Sequence, residues 1–238
     1  MKKIIYLLVF VFAIGNLTAQ NWYSKGIKGE GPTVTKTIDL EPIHSIGLGI
    51  SGDVYVTQGN TQSIKIEGQQ NIIDNIETKV RNGSWSISFD RDVRNHDKVK
   101  VYVTMPNVKK LSIGGSGDIY GEGIFRNQGD INLSIGGSGD IEFNVEGEDV
   151  KASIGGSGEI TLEGSGDALS ISIAGSGDVI AHEFPVEHCK VSTAGSGTCK
   201  VNASETLNVS TVGSGDVYYK GKPSVKTSSV GSGSVSPL

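Results

Sequence analysis

The chain has 238 residues, with 26 Asp and Glu against 21 Lys and Arg, a formal net charge of −5, and 34 glycines. An acidic balance with no basic block argues against nucleic acid as a partner, because its phosphates are bound by clustered Lys and Arg. Val, Ile and Leu alternate with the glycines throughout, which separates the sequence from a disordered glycine-rich linker.

Residues 1–19 read as a secretory signal peptide: Lys2 and Lys3, an apolar run from Ile4 to Ile14, then a small-residue stop at Leu17-Thr18-Ala19. The run is shorter than the roughly 20 residues that span a bilayer, and no later segment reads as a transmembrane helix. No cysteine lies near the cleavage point, so a lipid anchor is not expected. Residues 20–32 read as an exposed leader.

From Thr33 the pattern turns to strand. TVTKTIDL is followed by apolar residues from Ile46 to Ile50, an isolated Ser51-Gly52-Asp53, then VYVTQ and SIKIEG. The segment QQNIIDNIETKV after Gly68 fits one helical turn or a bulged strand, and SWSISF and KVKVYVTM alternate with the period of half-buried strands. Residues 33–108 are thus an irregular β region with one copy of a turn that dominates everything after it.

That turn is Gly-Ser-Gly. It recurs as Gly115-Ser116-Gly117, Gly137-Ser138-Gly139, Gly156-Ser157-Gly158, Gly175-Ser176-Gly177, Gly195-Ser196-Gly197, Gly213-Ser214-Gly215 and Gly231-Ser232-Gly233. The spacing is that of one solenoid coil. Alignment on the turn puts apolar residues in columns: Leu111, Leu133, Ala152, Ile171, Val191 and Val209 before it, with Lys109, Ile131, Val150, Leu169, Cys189, Leu207 and Val225 two positions earlier. After it come Ile119, Ile141, Ile160, Val179, Cys199 and Val217, then Gly121, Phe143, Leu162, Ala181, Val201, Tyr219 and Pro237. One such unit cannot bury its apolar face alone, whereas stacked coils pair their backbones and join the columns into a core. Residues 109–238 are therefore expected to form a right-handed parallel β-helix of short two-strand coils, continuous with residues 33–108 and all-β. The glycines are expected to supply φ > 0 at each reversal. The extra Gly164-Ser165-Gly166-Asp167 reads as one return folded as tightly as the main edge. Variable, polar returns on the opposite edge are the expected binding surface.

The position after the turn is Asp118, Asp140, Glu159, Asp178, Thr198, Asp216 and Ser234. These side chains either accept hydrogen bonds from turn N–H groups or form a carboxylate ladder for divalent cations or a ligand; Thr198 and Ser234 favour the first. His182, His188, Cys189 and Cys199 lack metal-ligand spacing, so no metal or cofactor is expected. Both cysteines fall on inward columns and read as buried free thiols in preference to a bridge. No nucleophile elbow is present, and Arg126 and Asp130 lie on a variable return, so no catalytic residue is assigned. Phe125, Phe143, Phe184 and Tyr219 read as core; Tyr120 and Tyr218 alternate outward and are available to a sugar or partner.

The motifs I-S-G-D-V at Ile50–Val54, S-W-S-I-S-F at Ser84–Phe89, V-K-V-Y-V-T-M-P-N-V at Val99–Val108 and K-L-S-I-G-G-S-G-D-I at Lys110–Ile119 resemble the head GIN domain family of auto-transporter adhesins. The resemblance extends over roughly Thr33 to Val235. It implies a β-helix of pectin-lyase-like shape from a Bacteroides-like bacterium, a role in adhesion, and no established catalytic residues. A translocating barrel is missing from the pattern. The expected protein is an exported, noncatalytic β-solenoid of the periplasm, outer surface or medium of a Gram-negative bacterium. It would bind a host or cell-surface glycan or protein, or act as a scaffold. Columns that grow polar toward Thr227 and Ser229 also suggest self-association at the last coil. The competing readings are a carbohydrate-active enzyme on the same helix and a calcium-stabilised repeat protein.

Overall fold

The computed structural model describes residues 26–126 and 129–238; the signal-peptide reading and residues 20–25 of the leader lie outside them. Strand accounts for 64% of the residues and helix for 2%, and the strands form a parallel β-solenoid of about seven turns. No helix among the described residues is long and apolar enough to cross a membrane.

Two sheets face each other across the core. The first holds the strands that lead into each Gly-Ser-Gly, from Lys110–Ile113 through Ile131–Ile135, Asp149–Ile154 and Ala168–Gly175 to Ser224–Gly231. The second holds those that follow it, from Asp118–Glu122 through Ile141–Glu146 and Glu159–Ser165 to Val235–Pro237. Identical columns lie side by side: Leu111 pairs with Leu133, Leu133 with Ala152, and Ala152 with Ile171. Across the core, Ile119 pairs with Ile141 and Ile141 with Ile160. The columns are buried because a residue with an apolar neighbour one coil away on each side has no route to water.

Two expectations about the coils need correction. Lys109 is exposed although it precedes a buried column, since the chain is only entering the first coil there. Val225, Thr227 and Ser229 are also exposed, because no strand pairs with the outer edge of Ser224–Gly231 among the described residues. In addition, two returns are not loops. Asp178–Gly195 and Cys199–Gly213 run from sheet to sheet as unbroken strands, with shifts in register at their corners.

The irregular region 33–108 joins the same solenoid, in an order that differs from the chain. The strands Ser45–Leu48 and Gly52–Gln58 make a coil directly beneath the first repeat. The later strands Ser84–Ile87 and Val99–Met105 lie outside that coil. Between them the chain runs antiparallel along Ser63–Gln69, which pairs with Thr33–Ile38 on its other side and extends the second sheet. It then makes the helical turn Gln70–Ile73, which buries Ile72 and Ile73 against the end of the core. Asn82 and Gly83, at φ 50° and 68°, form the tight reversal between Val80–Arg81 and Ser84–Ile87. The chain returns past the inserted coil at Pro106–Lys109, where the Lys109 N–H donates to the His44 carbonyl at 2.8 Å.

Candidate functional site

The Gly-Ser-Gly edge is a hydrogen-bonded ladder in its own right. The Ser138 N–H donates to the Gly115 carbonyl at 3.2 Å, Ser157 to Gly137 at 3.1 Å, and Ser196 to Gly175 at 3.0 Å. Each bond holds a carbonyl oxygen directly under the first glycine of the next coil, so a Cβ on Gly137, Gly156 or Gly195 would overlap that oxygen. The second glycines meet the same limit; at Gly215 a Cβ would lie 2.6 Å from the Gly197 oxygen. Positive φ, the expected reason for these glycines, occurs at Gly175, Gly195, Gly213 and Gly231 but not at Gly115, Gly137 or Gly156, nor at the second glycine of any copy. Close stacking is therefore the requirement common to all of them but Gly115, where a Cβ would lie 3.4 Å from the Gly49 oxygen. The serine side chains of the turn are exposed.

The carboxylates after the turn are used between coils. Asp118 Oδ1 accepts the Asp140 N–H at 3.0 Å, Asp140 Oδ1 the Glu159 N–H at 2.8 Å, and Asp178 Oδ1 the Thr198 N–H at 2.6 Å. Asp216 Oδ1 accepts both the N–H and the hydroxyl of Ser234, at 2.9 and 2.6 Å. Glu159 is one methylene longer and accepts from its own neighbour, the Thr161 hydroxyl; the Asp178 N–H goes instead to the Gly158 carbonyl. Asp53, the equivalent residue in the irregular region, is buried and pairs with Lys98 at 2.7 Å.

The hydrogen bonds from the Ser234 hydroxyl and backbone hold the Asp216 carboxyl below the usual carboxylate range. A folded-state pKa below the unfolded value of about 3.9 means the stabilisation is complete above that value and is lost as pH falls through the lower, folded one. The melting temperature of the protein is accordingly expected to hold steady from neutrality into mild acid and to fall below the ordinary carboxylate range, less so in Asp216→Asn. Circular dichroism across that range measures it.

Cys189 and Cys199 are free and buried. Burial pushes both thiols up to about 12, and for Cys199 the nearby Cys189 and Asp178 add to the effect. Because the thiolate is the reactive form, the native protein is expected to resist alkylation at both positions and to accept two labels per chain once unfolded in guanidinium, as read by mass.

The aromatic residues divide in two. Phe125, Phe143 and Phe184 are buried, and the Phe125 and Phe143 rings lie 4.6 Å apart. Phe143 occupies the space left by Gly121, where a Cβ would lie 2.5 Å from its ring. Tyr120 points outward from the second sheet, and register places it beside Tyr55, which in turn lies beside Tyr102. The three rings stack, with centroids 5.4 Å apart for Tyr120–Tyr55 and 5.2 Å for Tyr55–Tyr102. Burial, then the charges of Asp118, Asp53 and Glu142, push the Tyr120 hydroxyl up to about 12. Tyr218 lies in the same column but is separated from Tyr120 by Glu142, Thr161, Ile180 and Lys200.

The outer face of Tyr120 looks along the sheet toward Glu142, its register partner. Here a depression of about 110 Å³ is lined by Gly121, Glu142, Phe143, Asn144, Thr161 and Glu163. The Asn144 amide donates to Glu163 at 3.4 Å, while its Oδ1 is buried with no partner. The hollow is thus rich in acceptors, and two of its residues, Gly121 and Glu142, are the chain neighbour and the register partner of Tyr120. Sequence reasoning found Tyr120 but missed Tyr55, Tyr102 and Asn144. Aligning Asp53-Val54-Tyr55 with Asp118-Ile119-Tyr120 would have revealed the first.

At the return edge Glu187, His188 and Glu205 converge to within 4.8 Å, all exposed. His188 Nδ1 lies 3.0 Å from the Thr206 hydroxyl and Nε2 lies 3.8 Å from Glu205. His182 is apart from this group, beside Glu183.

Comparison with known proteins agrees with the fold. The chain belongs to the family described as "Putative auto-transporter adhesin, head GIN domain", which matches residues 44–223. A "putative adhesin" from Bacteroides fragilis superposes with a TM-score of 0.84 at 25% identity, covering 90% of this chain and 100% of its own. A "putative lipid binding protein" from Parabacteroides distasonis has a TM-score of 0.76 at 24% identity, over 90% and 100% of the two chains. A "putative adhesin" from Parabacteroides merdae has a TM-score of 0.70 at 19% identity, over 90% and 99%. The last two show the fold alone. No curated protein matches the sequence.

Proposed function

We propose that the protein is an exported, noncatalytic attachment module of the bacterial envelope and that it binds a neutral, hydroxyl-rich cell-surface glycan beside Tyr120. The observation that carries this reading is the acceptor-rich hollow lined by Glu142, Asn144, Thr161 and Glu163, whose residues Gly121 and Glu142 are the chain neighbour and the register partner of Tyr120. An aromatic face supports the apolar side of a sugar ring, and Tyr is favoured where apolar and wet surroundings meet. Glu142 and Glu163 offer acceptors to its hydroxyls, and their charge disfavours anionic sugars.

Membership of an adhesin family supports attachment over turnover. The turn glycines in this reading set the distance between coils, and the carboxylates that follow them serve as acceptors for the next coil's backbone. Excess calcium or chelator is then expected to leave the melting temperature unchanged; a clear rise with calcium would favour the cation-stabilised alternative.

A glycan array with the secreted protein tests the site. Neutral glycans are expected to bind, and Tyr120→Ala to weaken them about tenfold while melting normally; undiminished binding by that variant overturns the assignment. The same glycans should yield no new reducing ends after incubation, since their appearance would make the protein an enzyme. Light scattering of the same sample reads out association through the free edge of Ser224–Gly231, where all eight residues are exposed.

A further inference from the structure

The outward side of the first sheet bears the opposite charge. In register, one outward column has a lysine in every second coil, at Lys110, Lys151, Lys190 and Lys226, with Asn132, Ser170 and Asn208 between them. The adjoining column has a serine in every coil from Ser112 to Ser228. Neither column contains an acid; Asp130 and Asp149 stand at the return edge, and only Asp130 reaches a lysine, Lys151, at 3.6 Å. Lys110, Lys190 and Lys226 are exposed and have no ion-pair partner among the described residues. Of the serine hydroxyls in this column only Ser112 has a hydrogen bond among the described residues, to the Ile46 carbonyl at 3.2 Å. On the second sheet, by contrast, Asp118 and Asp140 already accept backbone N–H groups.

The surface also carries two adjoining shallow depressions. A depression of about 330 Å³ bounded by Lys151, Ser172 and Lys190 adjoins one of about 230 Å³ bounded by Asn208, Ser210 and Lys226, and the two share Lys190 and Ser192. Strands stack about 4.8 Å apart, so the lysines repeat at about 9.6 Å along a straight line. Neutral residues between them relieve repulsion along the column, since like charges on adjacent strands oppose each other. Three of the four cations, Lys110, Lys190 and Lys226, have no ion-pair partner among the described residues of a chain of net charge −5.

We propose that this face binds a linear anionic polysaccharide with one carboxylate on every second sugar ring. In such a polymer the acid repeats over a disaccharide, a length comparable with the two-coil interval, and the ring between two acids presents its hydroxyls to the free serines. A single exposed ion pair binds weakly, whereas pairs in series act with high effective concentration and remain sensitive to salt. The proposal rests on the reading of the protein as a noncatalytic attachment module but does not use the Tyr120 hollow, so the two sites can fail separately.

The probe is hyaluronan, an alternating polymer of uronic acid and N-acetylhexosamine, titrated at low and high salt with neutral dextran as control. Binding is expected to hyaluronan alone and to weaken with salt. Lys151→Gln with Lys190→Gln and Lys226→Gln should weaken it about tenfold or more. Lys190→Asn with Asn208→Lys keeps the charge but breaks the two-coil interval, and should weaken it as well. All these side chains point into solvent, and circular dichroism confirms that the variants fold. Tyr120→Ala should bind hyaluronan normally. Equal binding of dextran, indifference to the triple variant, undiminished binding by the shifted variant, or capture by phosphatidylglycerol vesicles without hyaluronan binding would each overturn the proposal.

Discussion

Gly137→Ala is expected to destabilise the protein by about 3 kcal/mol or more, whereas Gly136→Ala, one residue earlier, should change its stability by no more than about 0.5 kcal/mol. Both substitutions add one methyl group. At Gly137 the new Cβ overlaps the Gly115 carbonyl oxygen, which is fixed there by the bond from Ser138. Backbone cannot swing aside as a side chain does, so either the bond breaks or adjacent coils separate, and separation propagates along the stack. At Gly136 the Cβ would lie 3.7 Å from the Ile113 oxygen, an ordinary contact. The equivalent positions in later coils are Ala174, Ala194, Val212 and Val230, which shows that the backbone there tolerates a side chain. Urea unfolding of the two variants checks the difference. Equal losses would mean that glycine is needed for chain flexibility and not for the distance between coils.

Trp85→Ala is expected to cost about 3–5 kcal/mol, the range for large-to-small changes at fully buried aromatic positions. Trp85 is 0% exposed and lies between Ile46 and Val80 near the end of the first sheet, where only the two-residue strand Val80–Arg81 pairs on its outer side. Its indole N–H donates to the Glu77 carbonyl at 2.8 Å, tying the segment after the helical turn to the end of the solenoid. Trp85→Phe keeps most of the packing but leaves that carbonyl without its donor, at an expected cost of about 1–3 kcal/mol. Denaturant unfolding of both variants distinguishes packing from the hydrogen bond. If alanine and phenylalanine cost the same, the hydrogen bond and not the ring closes this end.

The adhesin family and the hollow proposed to bind a glycan bear differently on function. Family membership is a statement about residues 44–223, while the hollow depends on six residues from three successive coils. Its neighbour Tyr55 comes from a coil inserted out of chain order, so the repeat alone would not have brought the stacked rings to the same face. The group of Glu187, His188 and Glu205 has a comparable origin: two residues of one return meet one from the next, and no recognised ligand spacing marks them in the sequence. The Asn82-Gly83 reversal was fully legible as a two-residue hairpin signal but went unread beside the more frequent Gly-Ser-Gly.

What the sequence determined by itself was everything that follows from the period. In a stack of coils, residues one repeat apart are necessarily side by side, so Leu111, Leu133 and Ala152 could be placed in one column, the cysteines could be placed inside, and Tyr120 could be turned outward. Tertiary structure alone decided the order of coils before the first repeat, because residues 45–58 and 84–105 share no period with each other that would rank them. It also decided why the edge is glycine. Dihedral preference is a property of one residue, whereas the limit at Gly137 is set by an oxygen twenty-two residues earlier, held in place by the backbone hydrogen bond that joins the coils.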